Sequence, residues 1–470
     1  MDLDLLVVGS GPSGQKAAIQ AAKLGKRVAV VERPNRVGGI SIHTGTVPSK
    51  TLREAVFEEL ARRAADVPDP LNPEIHERSA LEWLRERTAR VVAAESALVR
   101  EQFRRNRVGV LYGDATFVDE HTIAVRDEHS TRSYTADFVI IAVGTMPYRP
   151  TGVEFDDRKV VDSDGILRLE NRLPRTMAIV GGGVIGVEYA SMFAALGTRV
   201  TIIDQREKLL PFLDGEIGEA MQFLLRRRNV TFRFGETVEG GEVNGDVVHT
   251  HLASGKDVPT ETVLYAAGRQ GATAGLHLEK AGLKADKRGR VPIDENFRTE
   301  VEHIYAVGDV AGGPGLAATG FEQGRLATLH AFGEEATQLP DLVPYGVYAI
   351  PEIGMVGRTE EELTEAAVPY VVGIARWREL TRGIMRGDED GMLKIIVSIE
   401  DRSLLGVHVL GTSAADLVHI GQALMGREDA VGFLVAVVFN YPTFAEAYKV
   451  AALDAVNRMR ALQAAAPATA

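Results

Sequence analysis

Two glycine-rich loops, 172 residues apart and in register, constrain this chain more than anything else in it. Gly9-Ser10-Gly11-Pro12-Ser13-Gly14 follows the apolar run Leu5 to Val8 and opens an Ala-rich stretch, Gln15 to Leu24, that is apolar on more than one face. A second apolar run, Arg27 to Val31, then ends in Glu32. The order repeats as Met177 to Val180, Gly181-Gly182-Gly183-Val184-Ile185-Gly186, Val187 to Leu196, and Arg199 to Ile203 ending in Asp204. Gly9, Gly11, Gly14 and Glu32 map onto Gly181, Gly183, Gly186 and Asp204 with one offset of 172. A lone loop of this kind is a weak signal. Two complete copies, each with strand, helix and an acidic residue 18 positions after the third glycine, predict two βαβ dinucleotide-binding units.

Further strand-to-glycine stretches interleave with them: Asp137 to Thr145 through Gly144, Thr262 to Arg269 through Gly268, and His303 to Asp309. From about Pro344 the glycine-loop pattern stops, and alternating strand candidates such as Leu393 to Ile399 and Gly406 to Leu410 take over. The fold expected is α/β: two nested Rossmann-like domains, the second inserted in the first, plus a C-terminal α+β domain. The boundaries expected are 1–150 with 265–338, then 151–264, then 339–470. Two dinucleotide sites on one chain suit a relay of hydride from one dinucleotide to the other.

Composition narrows the chemistry. There is no cysteine, which removes disulfides, thiolate nucleophiles and Cys-ligated zinc or iron–sulfur clusters together. A formal charge of −12, without a basic block, argues against a nucleic-acid partner. No apolar run approaches the ~20 residues that span a bilayer, and the N-terminus runs straight into a first strand and not a signal peptide. No metal spacing stands out. A cytoplasmic protein with no membrane, nucleic-acid or metal partner is expected. The Ala-rich tail Arg460 to Ala470 is expected to be a frayed end.

On these motifs the chain resembles the flavoprotein disulfide reductase family over nearly its whole length. The resemblance implies that the first unit binds FAD, the inserted unit binds NAD or NADP, and the last domain forms a homodimer or higher homo-oligomer. It places Gly9, Gly11, Pro12 and Gly14 at the FAD pyrophosphate, on a helix N-terminus that favours an anion. Glu32 would accept from the adenosine ribose and Asp309 would hold the ribityl chain, with Gly39, Thr46, Lys50, Gly144 and Ala317 also around FAD. Gly181, Gly183, Val184, Gly186, Glu188, Asp204, Arg206 and Gly268 fall to NAD(P).

The segment Gly38-Gly39-Ile40-Ser41-Ile42-His43-Thr44-Gly45-Thr46-Val47-Pro48-Ser49-Lys50 departs from that family. Its dithiol members carry two cysteines at the positions of Ser41 and Thr46. A hydroxyl can form neither a disulfide nor a thiolate. The C-terminal His-Pro-Thr-x-x-Glu that protonates a departing thiol is here Tyr441-Pro442-Thr443-Phe444-Ala445-Glu446. Tyr441 and Glu446 are the candidates for any acid–base role there. Tyr, with a pKa of ~10, is a poor base at neutral pH, and packing at a dimer interface is an equal reading of Tyr441. Both departures, with the runs Gly45 to Arg53 and Asn440 to Leu453, resemble the soluble pyridine nucleotide transhydrogenase branch of the family. Members of that branch often keep a cysteine where this chain has Ser41, so its loss should alter flavin tuning more than reaction class.

The activity implied is hydride transfer, NADPH + NAD⁺ = NADP⁺ + NADH, through FAD and with ping-pong kinetics, because one nicotinamide pocket used twice suffices. By resemblance Lys50 lies beside the flavin ring and pairs with Glu188, supporting negative charge on the reduced ring; a plain structural bridge is the lesser reading. Val184 would lie near the nicotinamide. Asp204 suits the free ribose of NAD, and Arg206, with Lys208 nearby, suits the 2′-phosphate of NADP. His43 reads as a structural donor or a flavin contact. An NAD(P)H:quinone reductase or diaphorase on the same scaffold is the alternative, and a non-catalytic redox sensor a third reading.

Overall fold

The computed structural model describes residues 1–65, 73–168 and 173–465. The chain folds as two compact units, one of residues 1–173 with 264–340 and one of 174–263 with 341–470. Residues 151–173 therefore lie in the first unit, and the second glycine loop shares a unit with the C-terminal part. No described helix is long and apolar enough to cross a membrane.

In the first unit the strand Leu3–Val8 pairs in parallel with Val28–Glu32 on one side and Thr131–Ile141 on the other. Gly109–Tyr112 extends the sheet beyond Val28–Glu32, and Ile304–Ala306 beyond Thr131–Ile141, both parallel. Leu5, Leu6 and Val7 are wholly buried. A strand covered on both faces needs such an unbroken apolar run. The outer half of Thr131–Ile141 also joins an antiparallel ribbon with Thr122–Arg126 and Asp114–Phe117. Helix Pro12–Lys23 is crossed closely by Ala317–Ala331. A Cβ on Gly324 would stand 2.0 Å from the Ser13 carbonyl oxygen, so only glycine permits that approach.

The second unit repeats the design. Thr176–Val180, Arg199–Asp204 and Val230–Phe234 form a parallel sheet, with helix Val184–Ala195 between the first two strands. A three-stranded antiparallel ribbon follows, Val238–Asn244, Val247–Leu252 and Asp257–Thr260. The C-terminal part is a five-stranded antiparallel sheet in the order Tyr345–Val347, Ile353–Gly357, Leu404–Leu410, Met392–Ser398, Tyr370–Arg376.

The alternation expected over Leu393 to Ile399 does not divide core from solvent, because all seven residues of Met392–Ser398 are buried. Leu393, Ile395 and Val397 pack with Ala447, Ala451 and Ala455 of helix Ala447–Ala465. From the same buried strand, Lys394 reaches Asp214 at the start of helix Gly215–Arg227. The expected frayed tail is corrected as well: the last helix carries on to Ala465, and only 466–470 lie outside the described residues. The small residues that suggested fraying are also good helix formers.

Candidate dinucleotide sites

The two glycine loops share one construction. In each, the first glycine takes a left-handed backbone conformation, φ +106° at Gly9 and +112° at Gly181, which a side chain would oppose. A Cβ on the third glycine would meet a carbonyl oxygen of the first, at 2.0 Å for Gly14 and 1.9 Å for Gly186. These contacts hold strand and helix together. A Cβ on the second glycine, Gly11 or Gly183, would meet nothing within 4 Å. That open space lies directly before helix Pro12–Lys23 or Val184–Ala195, where free N–H groups and the helix dipole favour a phosphate.

The acidic residues are held alike. Glu32 Oε2 accepts from the Ser10 amide at 2.9 Å and its hydroxyl at 2.8 Å, and Oε1 accepts from the Arg33 amide. The Ser10 hydroxyl in turn accepts from the Gly38 amide. In the second unit Gly182 takes the place of Ser10, its amide 2.6 Å from Asp204 Oδ2. The Arg206 amide donates to Oδ1 at 2.8 Å, and its guanidinium closes a fork, Nε to Oδ1 at 2.9 Å and Nη2 to Oδ2 at 2.6 Å. Burial alone would raise the Asp204 pKa. The Arg206 fork and the two amides outweigh it and hold the carboxyl below its ordinary value.

Around the first loop, a Cβ on Gly39 would stand 2.7 Å from Gly11 Cα, so the segment bearing Ser41 and Thr46 is seated against the loop itself. His43 Nε2 lies 2.9 Å from the Val37 carbonyl, which makes it a structural donor through that nitrogen. Thr44 Oγ1 is buried without a hydrogen-bond partner. Thr46 and Lys50 lie on helix Thr46–Ala65. Asp309 lies in the turn Gly308–Ala311, just after the strand Ile304–Ala306 that was expected to carry it. Ala317 begins the helix that crosses Pro12–Lys23. Gly144 and Gly268, with φ +66° and +109°, flank the ribbon Thr145–Pro147 with Arg269–Gly271, so Gly268 belongs to the first unit.

Asp309 sits between burial and two nearby cations. Burial pushes its pKa up, while the Arg269 charge, the Thr145 hydroxyl at 3.5 Å and the Arg290 charge pull it part of the way back. Neither Arg269 nor Thr145 stood out in the sequence, nor did Ser10, although the position between the first two glycines was a usable signal for Ser10. These residues fit FAD on three counts: open space at Gly11, an oriented acid in Glu32, and a half-buried carboxyl in Asp309. No group of three or more metal-ligating side chains occurs among the described residues.

In the second unit, Val184 is the first residue of its helix. Glu188 is buried and its Oε1 accepts from the Tyr348 amide at 2.9 Å. Ser191 donates to the Glu188 carbonyl and accepts from the Ile350 amide, so this helix is fastened to the C-terminal part. Tyr441 is largely exposed, and its hydroxyl lies 2.7 Å from Thr381 Oγ1. Glu446 Oε2 is buried without a hydrogen-bond partner. Within the chain the two residues form no acid–base dyad.

Two glycine loops of this construction, each with its tethered acid, define a protein built on two nucleotide-binding βαβ units. Residues 3–324 match the family described as pyridine nucleotide-disulphide oxidoreductase, and 343–452 match that family's dimerisation domain. The chain belongs to the pyridine nucleotide-disulphide oxidoreductase family. It is 54% identical over 470 residues, 98% of each chain, to a soluble pyridine nucleotide transhydrogenase of Mycobacterium bovis. A protein of the same description from Photobacterium profundum is 43% identical over 461 residues, 97% of this chain and 98% of the relative. Among solved structures it is similar to the Cu(II) complex of the HOCl-induced flavoprotein disulfide reductase RclA from Escherichia coli. The TM-score there is 0.87 at 27% identity, covering 96% of this chain and 99% of that one. LpdA from Mycobacterium tuberculosis gives 0.86 at 25% identity, with the same coverage.

Proposed function

We propose that this chain is an FAD-dependent NAD(P)⁺ transhydrogenase, which moves hydride from NADPH to NAD⁺ by ping-pong kinetics. The observation that carries the reading is Ser41 and Thr46 in a chain that keeps both glycine loops intact. The family's nucleotide machinery is complete and its thiol machinery is absent. Relatives at 54% and 43% identity are described as soluble pyridine nucleotide transhydrogenases.

FAD, when bound, supplies a two-electron store that nicotinamides fill and empty. The residues of this chain supply position and charge. Gly11 and Gly14 present backbone N–H donors to the pyrophosphate, Gly9 and Pro12 shape the turn that receives it, Glu32 accepts from the ribose, and Asp309 orients the ribityl chain. Gly39, Thr46, Gly144 and Ala317 line the same site, and Lys50 offers a cation to the ring. Gly181, Gly183, Val184 and Gly186 receive NAD(P), with Asp204 and Arg206 reading its adenosine ribose. Asp204 serves the two hydroxyls of NAD, whereas Arg206, once released from Asp204, serves the 2′-phosphate of NADP. The protein works as a homodimer through residues 339–470, in the cytoplasm.

Stopped-flow mixing of the NADPH-reduced holoprotein with NAD⁺ tests the reading. Rapid return of the oxidised flavin spectrum and parallel-line steady-state plots are expected. Quinone turnover far exceeding dinucleotide turnover would replace it with an NAD(P)H:quinone reductase.

A further inference from the structure

We propose that Arg269 is the positioning residue for Asp309, acting through the Thr145 hydroxyl to aim that carboxylate at FAD. The inference rests on the reading of Asp309 as a flavin contact.

Strands Thr145–Pro147 and Arg269–Gly271 pair antiparallel, with Gly271 opposite Thr145 and Arg269 opposite Pro147. Residues 145, 147, 269 and 271 share one face, so Arg269 and Thr145 are diagonal neighbours on it. Arg269 Nε donates to Thr145 Oγ1 at 2.9 Å, and Nη2 donates to the Thr145 carbonyl at 3.1 Å. Its Nη1 donates to Ser163 Oγ at 3.2 Å and lies 3.4 Å from Asp164 Oδ1. The guanidinium is thus clamped from both sides, and its aim at Thr145 is fixed.

The direction of the relay follows from donor counting. Arg has only donors and an ionised carboxylate only acceptors. A hydroxyl that accepts from Arg269 has one proton left, and Asp309 Oδ2 lies 3.5 Å away to take it. The turn that carries Asp309 is pinned from the other side, where the Gly308 amide donates to Gln323 Oε1 at 2.7 Å. Charge adds to geometry. Asp309 is substantially desolvated, which disfavours its anion; Arg269 and Arg290 are the cations that oppose this, and Asp164 draws on Arg269 in turn. Without Arg269, Thr145 is free to turn, and Asp309 takes up a proton at higher pH.

The test is FAD retention by the purified holoprotein between pH 4.5 and 8, followed by the fluorescence of released FAD. Wild type, R269M, R269K, T145V, D309N and the R269M/T145V double variant are compared. R269M should release FAD about tenfold more readily at neutral pH, as expected for a lost charge-assisted contact, and should move the acid limb of retention upward by about one pH unit. T145V should show part of this, R269K should restore part of it, and the double variant should be no worse than R269M. Wild-type retention and an unmoved acid limb in R269M would overturn the proposal, as would simple addition of the two single effects. Should R269M fail to fold, R269K and T145V decide by the same readout. D309N separates the two layers. If it holds FAD as tightly as wild type, the reading of Asp309 fails; if it loosens FAD while R269M and T145V do not, only the relay fails.

Discussion

Arg206 grips Asp204 with both prongs of its guanidinium, and with the Gly182 and Arg206 amides the carboxylate accepts four hydrogen bonds. That saturates about the four lone-pair positions a carboxylate has. Either dinucleotide must therefore open the fork: NAD⁺ to reach Asp204, NADPH to recruit Arg206. Arg206→Gln should raise KM for NADPH by about ten- to a hundredfold, the loss expected for one charged phosphate contact. KM for NAD⁺ should stay the same or fall. Asp204→Asn should do the reverse. Initial-rate kinetics with each dinucleotide varied separately checks this, and equal changes for both dinucleotides in Arg206→Gln would refute the division of labour.

The glycines of the second loop predict two different failures. At Gly186 a Cβ would lie 1.9 Å from the Gly181 oxygen, so Gly186→Ala should cost more than ~2 kcal/mol and lower the melting temperature. At Gly183 a Cβ would meet nothing within 4 Å. Gly183→Ala should therefore melt like wild type, while the methyl stands where the pyrophosphate must approach and dinucleotide affinity falls at least tenfold. Melting curves beside NAD(P)H titrations distinguish the two.

This contrast also marks what could be read in advance. The loops were legible because their chemistry is local: Gly9 to Glu32 and Gly181 to Asp204 each hold strand, turn, helix and acid within one short stretch. The departures at Ser41, Thr46 and Tyr441 were legible as residue types alone. Arg269 was not, because its meaning comes from Thr145, which lies 124 residues away in sequence. Lys394 was hidden for the same reason. In a strand it reads as a solvent-facing position, and only Asp214, 180 residues earlier, explains its burial. The fork of Arg206 on Asp204 is local, but two side chains that each looked ready for a ligand proved to be ready for each other.

Lys394 is in direct contact with a cluster of acids. Its Nζ lies 2.7 Å from Asp214 and 3.3 Å from Glu216, and it also bonds Glu360. Burial would lower the Lys394 pKa, but Asp214 and Glu360 raise it above 10.5; burial would raise Asp214, but Lys394 and neighbouring groups hold it below 3.8. Lysine raised in the fold stabilises fully below its ordinary value, and that contribution is lost as pH rises through the folded one. A depressed aspartate stabilises above its ordinary value and loses this as pH falls. The pair is therefore fully effective across neutral pH. Lys394→Met should cost about 3–5 kcal/mol at pH 7, because it strands the buried Asp214 carboxylate without its cation. With Lys394 gone, burial pushes Asp214 toward its protonated form, so the deficit should shrink as pH falls from 8 to 5. Melting temperatures of both proteins across that range check the sign, and a constant gap would contradict it.

Tyr441 and Glu446 stand where the family's thiol chemistry needs its acid and base, and in this chain they point to different business. The Tyr441 ring is 62% exposed and its hydroxyl is tied to Thr381, while Glu446 Oε2 is buried without a partner. Hydride passes between nicotinamides with no thiol to protonate, so nothing in that reaction calls on the phenol. Tyr441→Phe should keep kcat within about twofold and cost less than ~1 kcal/mol of stability, the worth of one exposed hydrogen bond. Removing the ring is a separate matter. Tyr441→Ala also strips apolar surface from the proposed dimer contact, and should weaken self-association in sedimentation velocity at low protein concentration before it slows turnover. A large fall in kcat for Tyr441→Phe, with an intact dimer and unchanged FAD content, would give the hydroxyl a chemical role that its hydrogen bond to Thr381 does not suggest.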